Sequence, residues 1–327
     1  MDSPIELAII LPCYNEEEVL NDSFLKLHVY FNNLLERKLI SEKSTLCFVN
    51  DGSIDKTWDI IVQLKSKYQN VSGIKLSRNF GQQNAIFAAF ATLIDNFDCY
   101  ITIDVDLQDE ISTIEKMILE FNNGNSIVYG VRDDRSTDSF FKRTTAVYFY
   151  KVMKFLGVET VYNHSEFRLL DNKSLSELLH FKEVNLFLRG IVPLLGFRTS
   201  KVFYKRQKRE AGETKYPLSK MISLAWDGVS SFSIKPMRFV LVIGFITFVL
   251  SILISFWMIY TYVSGKAIPG WFSTLFPLML LSGVQMMSIG LLGEYIGKMF
   301  LEVKKRPRFI IEEYINNEEE EEVRIPN

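Results

Sequence analysis

The first half of the chain alternates short apolar runs with longer segments in which apolar residues recur at helical spacing. The runs are rich in isoleucine, leucine and valine, which is typical of strands buried in a parallel sheet. They are Ile5–Leu11, Thr45–Val49, Gly73–Leu76, Tyr100–Ile103 and Ile127–Val131. The intervening segments predict helices over 19–39, 55–68, 85–94 and 111–122. This alternation predicts an α/β fold with a doubly wound, mostly parallel sheet.

The second half contains two uncharged apolar stretches, Phe239–Val263 and Trp271–Gly293. Each is longer than the roughly 20 residues that a bilayer-spanning helix needs. Lysines and arginines precede the first stretch and follow the second, so the positive-inside rule places both ends of this hairpin in the cytoplasm. Buried core helices are the alternative interpretation. We therefore expect an α/β domain over 1–215, an amphipathic juxtamembrane segment over 216–238, two transmembrane helices within 239–297 and a basic, then acidic, tail over 298–327.

Composition narrows the class of protein. The formal net charge of −2 gives no electrostatic reason to expect nucleic-acid binding. Cys13, Cys47 and Cys99 lie in apolar runs without CxxC spacing, so we expect buried thiols in a reducing compartment rather than disulfides or a zinc site. No basic segment precedes an apolar core at the N-terminus, so no signal peptide is expected.

Acidic side chains follow the fourth predicted strand. Asp104 and Asp106 are two residues apart, so on an extended chain they share a face and can reach one hard cation. Mg²⁺ is commonly held by one or two carboxylates together with substrate phosphates. The pattern therefore indicates a metal–diphosphate site at the carboxyl end of a parallel strand, where open α/β sheets bind ligands. A polar turn without a metal is the alternative interpretation.

Polar residues also follow the first two predicted strands, namely Asn15 and Glu17, then Asp51. In a parallel sheet these ends lie along one edge, so the side chains are expected to line one crevice with Asp104 and Asp106. The motifs GxGxxG and GxxxxGK[ST] are absent, which argues against a nicotinamide-binding domain and against a P-loop nucleotidase.

An ordered set of motifs adds a resemblance to a known family. LPCYNEEE, VNDGSIDKT, LSRNFGQQNA and DVDLQDE are followed by GVRDDR, FRLLD, REAGETKYP and GEYIGKMFLEVKKRP. In this order they resemble the GT-A glycosyltransferases, most closely the polyprenyl-phosphate type that includes dolichyl-phosphate mannose synthase and the bactoprenol glucosyltransferases. The resemblance covers nearly the whole chain and leaves only the acidic tail outside.

The resemblance implies a GT-A catalytic domain followed by a transmembrane hairpin, in an enzyme of the bacterial inner membrane whose catalytic domain and termini are cytoplasmic. It implies transfer of one sugar, with inversion, from a nucleoside-diphosphate sugar to undecaprenyl or another polyprenyl phosphate, with Mg²⁺ or Mn²⁺. The expected donor is UDP-glucose. GDP-mannose, UDP-galactose, UDP-N-acetylglucosamine and an aminoarabinose donor stay open, as do a non-catalytic membrane scaffold and a homo-oligomer, a tetramer by resemblance.

The same resemblance assigns residues to the site. Asp106, Glu166 and Arg168 would be catalytic, and Asp104, Asp106 and Gln108 would bind the metal. The residues that would bind the nucleotide are Pro12, Tyr14, Asn15, Glu17, Asp51, Arg78, Asn79 and Asp104. The bactoprenol members commonly have GDFR where this chain has Ser165-Glu166-Phe167-Arg168, so the carboxylate is kept on a longer side chain.

The chemistry also requires cations for the lipid phosphate. A phosphate monoester is largely dianionic at pH 7, so it is a competent nucleophile that needs no strong base. Arginine, which binds phosphate through two hydrogen bonds, suits this role best. The candidates are Arg132, Arg135, Lys142, Arg143, Arg206, Arg209 and Lys215, each of which has a solvated surface cation as its alternative interpretation.

Overall fold

One sheet organises the described part of the computed structural model, which covers residues 4–133, 164–183, 187–205, 235–264 and 271–316. The strands are β1 (Leu7–Cys13), β2 (Thr45–Asn50), β3 (Val71–Leu76), β4 (Cys99–Thr102), β5 (Ile127–Arg132), β6 (His164–Asp171), β7 (Thr199–Tyr204) and β8 (Ile311–Ile315). The helices are α1 (Leu20–Glu36), α2 (Thr57–Lys67), α3 (Gln82–Leu93), α4 (Thr113–Asn122), α5 (Asn172–Leu179), α6 (Leu188–Leu194), α7 (Lys235–Val263) and α8 (Trp271–Lys304).

The sheet has the strand order β7-β5-β6-β4-β1-β2-β3-β8. The pairs β4–β1, β1–β2, β2–β3 and β5–β7 are parallel, whereas β6 runs antiparallel to both of its neighbours and β8 runs antiparallel to β3. The prediction of a mostly parallel α/β sheet is confirmed. The strands predicted in the first half are present with boundaries shifted by at most two residues, whereas β6, β7 and β8 were not predicted.

The core explains why the first half folds as its pattern indicates. Strand β1 is buried along almost its whole length, as expected of a central strand covered on both faces. Helix α1 buries one stripe, Phe24, Leu27 and Phe31 among others, against the sheet. The three cysteines are buried, as the sequence analysis predicted.

Strand β8 pairs with β3 and forms one edge of the sheet. Gly73 pairs with Ile315, and a Cβ on Gly73 would lie 2.7 Å from the Ile61 side chain and 3.0 Å from that of Ile315, so this crowded position favours glycine. The Lys75 ammonium lies 2.9 Å from the Glu312 carboxylate. We expected a tail over 298–327, but the structure places an ordered strand of the sheet within it. Five residues with two glutamates carry too little pattern to predict such a distant pairing.

Both long helices, α7 and α8, belong to a second compact unit, whereas the sheet and Pro307–Asn316 belong to the first. Among the residues that the structure describes, no helix combines the length and the apolar character needed to cross a membrane. The transmembrane hairpin expected from the sequence therefore stays a prediction.

Removal of β8 should destabilise the sheet. A chain that ends at Arg306 loses the β3 pairing, and we expect its melting temperature to fall by about 2–8 °C, the effect of about 1–2 kcal/mol in a domain of this size. A chain that ends at Asn316 keeps β8 and serves as the control. Thermal unfolding of both purified proteins, followed by tryptophan fluorescence, measures the difference; equal melting temperatures would show that the strand contributes no stability.

Candidate active site

The carboxyl ends of β1, β2 and β4 form one edge of the sheet. Cys13 is paired with Asn50, so β1 and β2 end at the same level. Thr102, the last residue of β4, is paired with Ile10, so β4 ends three residues lower on β1. The segments that follow the three strands carry the acidic side chains of the expected crevice, and the structure brings them to the same edge.

Asp51 holds the loop that follows β3. Its carboxylate is buried and accepts backbone N–H groups from Phe80 at 2.7 Å and from Gly81 at 2.9 Å. Burial raises the pKa of Asp51, and these two hydrogen bonds partly oppose the rise because they stabilise the ionised form. The carboxylate expected to contact the nucleotide thus also fixes the loop that carries the other expected nucleotide residues.

Gly52 allows that loop to approach. Its φ is +63°, and a Cβ there would lie 2.2 Å from the carbonyl carbon of Arg78 and 2.4 Å from the amide nitrogen of Asn79. Backbone atoms cannot yield as a flexible side chain can, so any larger residue would separate the two loops. The Asp-Gly pair in the VNDGS motif therefore serves a close backbone approach, in addition to the turn that it is known to favour.

Asn15 and Glu17 fasten the loop that follows β2. The Asn15 side-chain oxygen accepts the Ile54 N–H at 3.0 Å, and Asn15, at φ +53°, donates its own N–H to the Ser53 hydroxyl at 3.0 Å. The Glu17 carboxylate accepts the Lys56 N–H at 3.0 Å. Both side chains that were expected to bind the nucleotide are therefore engaged in shaping the loop beside it.

Exposed side chains also lie at this edge of the sheet, after β1 and β3. The Arg78 guanidinium lies 4.0 Å from the centroid of the Phe80 ring and donates to the Asn79 carbonyl at 3.1 Å. Tyr14 is 41% exposed, and Pro12 is partly buried within β1. An aromatic ring and a guanidinium plane at the mouth of a crevice are surfaces on which a nucleobase can stack.

Asp104 and Asp106 lie in one tight turn after β4. The Leu107 N–H donates to the Asp104 carbonyl at 3.1 Å, and Leu107 has a φ of +45°. Gln82 donates its side-chain amide to the Asp104 carboxylate at 2.7 Å, and Gln108 donates to that of Asp106, also at 2.7 Å. The turn thus brings together the three residues that were expected to bind a metal.

A second acidic group lies beside this turn. Asp109 is buried, accepts the Tyr204 hydroxyl proton at 2.7 Å and lies 3.7 Å from the Arg132 guanidinium. Arg132 also donates through Nε to the Tyr204 oxygen at 3.3 Å. Arg132, a candidate for the lipid phosphate, is therefore held as a counter-charge to the acidic cluster.

Burial, together with an excess of nearby carboxylates, raises the pKa of Asp104 to about 7. Burial is the first cause, and the negative charges of Asp109, Asp106 and Glu166 add to it, while Arg132 opposes it. Within the described ranges, no three histidine, cysteine, aspartate or glutamate side chains converge closely enough to hold a metal ion. A pair of carboxylates in a negatively charged crevice nevertheless fits Mg²⁺ or Mn²⁺, which complete their coordination with substrate phosphate oxygens.

Glu166 is clamped between two arginines on β6 and α6. One carboxylate oxygen forms an ion pair with Arg168, and the other accepts the Arg189 Nε–H at 2.9 Å. Burial alone would raise its pKa, but Arg168, Arg189 and His164 outweigh burial and lower the pKa to about 2. Arg168, which was expected to be catalytic, is buried and also donates to the Leu188 carbonyl at 3.3 Å.

The remaining lipid-phosphate candidates, Arg135, Lys142, Arg143, Arg206, Arg209 and Lys215, lie outside the described residues. Four residues of the site were not singled out from the sequence: Gln82, Arg189, Tyr204 and Gln83, whose side-chain oxygen accepts the backbone N–H of Leu188 at 2.8 Å. The two glutamines stand in the LSRNFGQQNA motif, which could have identified them. No local pattern marks Arg189 or Tyr204, because their partners are distant in the chain.

The sheet, the acidic turn after β4 and the loops around Asp51 together define a glycosyltransferase domain of GT-A type. Residues 8–179 match the model of glycosyl transferase family 2, and residues 235–299 match that of the GtrB C-terminal hairpin. The chain belongs to glycosyl transferase family 2, which confirms the family inferred from the motifs, and it is a glycosyltransferase.

Several relatives match over nearly their whole length. The uncharacterized glycosyltransferase YkoT of Bacillus subtilis (strain 168) is 46% identical over 313 residues, which cover 96% of this chain and 93% of YkoT. The bactoprenol glucosyl transferase of Shigella phage SfX is 36% identical, covering 94% of this chain and 99% of its own. The prophage bactoprenol glucosyl transferase homolog of Escherichia coli (strain K12) is also 36% identical, with coverages of 94% and 98%.

Replacing Gly52 should separate the loop after β2 from the loop after β3. Gly52→Ala places a Cβ against the Arg78–Asn79 backbone, so we expect nucleoside-diphosphate binding to weaken by at least about tenfold, or about 1.4 kcal/mol. Gly196→Ala is the matched control, since Gly196 also has a positive φ (+69°) but open space around it. Calorimetric titration with UDP measures both variants; equal binding by Gly52→Ala and wild type would disprove the steric role.

The Glu166 clamp should make stability depend on pH. Because the folded-state pKa of about 2 lies below the ordinary value of 4.5, ionised Glu166 stabilises the fold above pH 4.5, and this contribution is lost as pH falls from 4.5 towards 2. At neutral pH it amounts to about 3 kcal/mol. Glu166→Gln should therefore unfold at lower urea concentration than wild type at pH 7, with a smaller gap at pH 3.5.

The exposed Glu42→Gln variant is the control for this measurement and should follow wild type at both pH values. A gap between wild type and Glu166→Gln that stays constant from pH 7 to pH 3.5 would show that the ionisation of Glu166 does not stabilise the fold.

Proposed function

We propose that this enzyme transfers glucose from UDP-glucose to undecaprenyl phosphate or a related polyprenyl phosphate. The observation that carries the proposal is the 36% identity over 94% of the chain to a bactoprenol glucosyl transferase, with the match extending through the C-terminal hairpin. The family and the fold support sugar transfer in general. The polyprenyl acceptor and the transferred glucose follow from the likeness to bactoprenol glucosyl transferases, and UDP as the carrier follows from the resemblance of the motifs.

The geometry suits this reaction. An oxygen of the acceptor phosphate attacks the anomeric carbon, the bond from that carbon to the diphosphate oxygen breaks, and the nucleoside diphosphate leaves with the electron pair. A single displacement of this kind inverts the anomeric configuration. The main barriers are electrostatic, since the anionic acceptor phosphate must approach the anionic diphosphate in a crevice lined by carboxylates. Preorganised charges lower such barriers.

Residues of the crevice divide these tasks. Asp104, Asp106 and Gln108 would hold Mg²⁺ or Mn²⁺, which when bound would neutralise charge on the leaving diphosphate. Asp51 holds the loop of Arg78 and Asn79 in place for the nucleotide. No residue is needed as a strong base, because the phosphate nucleophile is already ionised at pH 7.

We further propose that α7 and α8 insert into the bacterial inner membrane as a two-span hairpin, with the catalytic domain and both termini on the cytoplasmic side. The helices are 29 and 34 residues long. They carry large exposed apolar side chains, such as Phe245 at 64%, Trp257 at 64% and Met286 at 71% exposure. Large exposed apolar side chains in such number call for a lipid or protein partner. Homo-oligomer formation, a tetramer by resemblance, stays a prediction.

The direct test is a product assay. Detergent-purified protein is incubated with undecaprenyl phosphate, Mg²⁺ or Mn²⁺ and one nucleotide sugar at a time, and the lipid is weighed by mass spectrometry. A lipid heavier by one hexose with UDP-glucose alone supports the proposal. A product formed with GDP-mannose, UDP-galactose, UDP-N-acetylglucosamine or an aminoarabinose donor would identify that compound as the donor in place of UDP-glucose. No product with any donor would favour a non-catalytic scaffold.

Loss of one predicted metal ligand should abolish this transfer. Asp106→Asn removes a carboxylate charge without changing size, and we expect kcat to fall by at least about a hundredfold, or about 2.7 kcal/mol. Asp59→Asn, an exposed aspartate on α2, is the control and should retain wild-type turnover. Wild-type turnover by Asp106→Asn would exclude this carboxylate from the metal site.

A further inference from the structure

The Glu166 clamp contains two arginines in different surroundings. The Arg168 side chain is 2% exposed and lies inside the sheet, whereas that of Arg189 is 33% exposed. The side chain of Glu166 is 9% exposed, and its two oxygens interact with different guanidinium groups. The unit therefore consists of one buried arginine, one bridging carboxylate and one arginine that solvent and solutes can reach.

Charge is the property that this unit changes. A single ionised carboxylate beside the crevice would repel a phosphate dianion. One arginine cancels the charge of Glu166, and the second leaves the group of three with a formal charge of +1. The partly exposed member, Arg189, presents this charge on a planar group that is suited to phosphate oxygens.

The position of Arg189 is fixed relative to the acidic turn by two adjacent residues of α3. Gln82 donates to the Asp104 carboxylate at 2.7 Å, and Gln83 accepts the backbone N–H of Leu188 at 2.8 Å. Leu188 directly precedes Arg189 at the start of α6. A second connection runs through the sheet, where the Thr102 hydroxyl donates to the backbone carbonyl of Glu166. Thr102 lies two residues before Asp104.

We propose that Arg189 binds the phosphate monoester of the acceptor and that Glu166 is a positioning residue that holds Arg189 for this contact. The inference rests on the proposed function and deepens it by naming a recognition residue for the acceptor. It assigns to Glu166 a different task from that of a general base. A carboxylate that two arginines keep ionised is a weak proton acceptor, and the dianionic nucleophile has no proton to lose.

The test compares steady-state kinetics of Arg189→Ala, Arg189→Lys, Glu166→Gln and wild type with undecaprenyl phosphate as the varied substrate. Loss of a charge-assisted hydrogen bond should raise the acceptor KM of Arg189→Ala by about ten- to a hundredfold, with the donor KM changed less than about twofold. Arg189→Lys should recover part of the loss, because it keeps the charge without the planar fork. Arg198→Ala, which truncates another exposed arginine after α6, should behave as wild type.

Glu166→Gln separates positioning from base catalysis. A positioning role predicts a raised acceptor KM, a kcat within about threefold of wild type and an unchanged pH profile of kcat, since glutamine still offers Arg189 one acceptor oxygen. It also predicts that the double variant has the same acceptor KM as Arg189→Ala alone, because Glu166 acts on the acceptor only through Arg189. A kcat loss with an altered pH profile and a normal acceptor KM would overturn the assignment.

Binding decides the inference independently of turnover. Calorimetric titration with citronellyl phosphate, in the presence of UDP and Mg²⁺, should show binding to wild type that weakens about ten- to a hundredfold in Arg189→Ala. Competition with inorganic phosphate separates recognition of the phosphate group from recognition of the prenyl tail. Weakened binding without any sugar transfer by wild type would refute the proposed reaction and keep the phosphate site. Sugar transfer by wild type with equal binding by Arg189→Ala would refute the site and keep the reaction.

Discussion

Buried carboxylates at the edge of the sheet impose the constraint on which the rest of the site depends. An ionised group removed from water must be compensated by hydrogen bonds or opposite charge. Asp51 receives two backbone N–H groups, Asp109 receives a tyrosine hydroxyl and a nearby guanidinium, and Glu166 receives two arginines. Asp104 is partly buried and receives a glutamine amide, and burial together with neighbouring carboxylates raises its pKa to about 7. A divalent cation and its diphosphate would supply the missing positive charge at that point.

The sequence predicted the first half of the fold well because each element there carries its own pattern. Buried parallel strands such as β1 are continuous apolar runs, and α1 shows a clear helical stripe. Strand β6 escaped prediction because Glu166 and Arg168 interrupt its apolar pattern. These charges are tolerated inside because Glu166 pairs with Arg168 and with Arg189. Strand β8 escaped because its partner lies far away in the chain, where no local pattern can point to it.

The candidate site was predictable where chemistry follows directly from residue type and position. Two aspartates after a strand were sufficient to indicate a cation site, and the structure places Asp104 and Asp106 in one turn. The intramolecular partners of these side chains were not predictable. The sequence does not show that Asn15 and Glu17 fasten a loop, or that both carboxylate oxygens of Glu166 are paired with arginines. Arg189 was identified as a residue of the site only from its contacts in the structure.

The C-terminal position of β8 has a consequence for synthesis. Lys75 and Glu312, which form an ion pair across the β3–β8 edge, are 237 residues apart. A ribosome that adds about 5–20 residues per second therefore leaves β3 without its outer neighbour for about ten seconds or longer. During that interval an open strand edge is available to other chains. The catalytic sheet is thus completed only after both α7 and α8 have been made, which makes intact synthesis of these helices a condition for the full eight-stranded sheet.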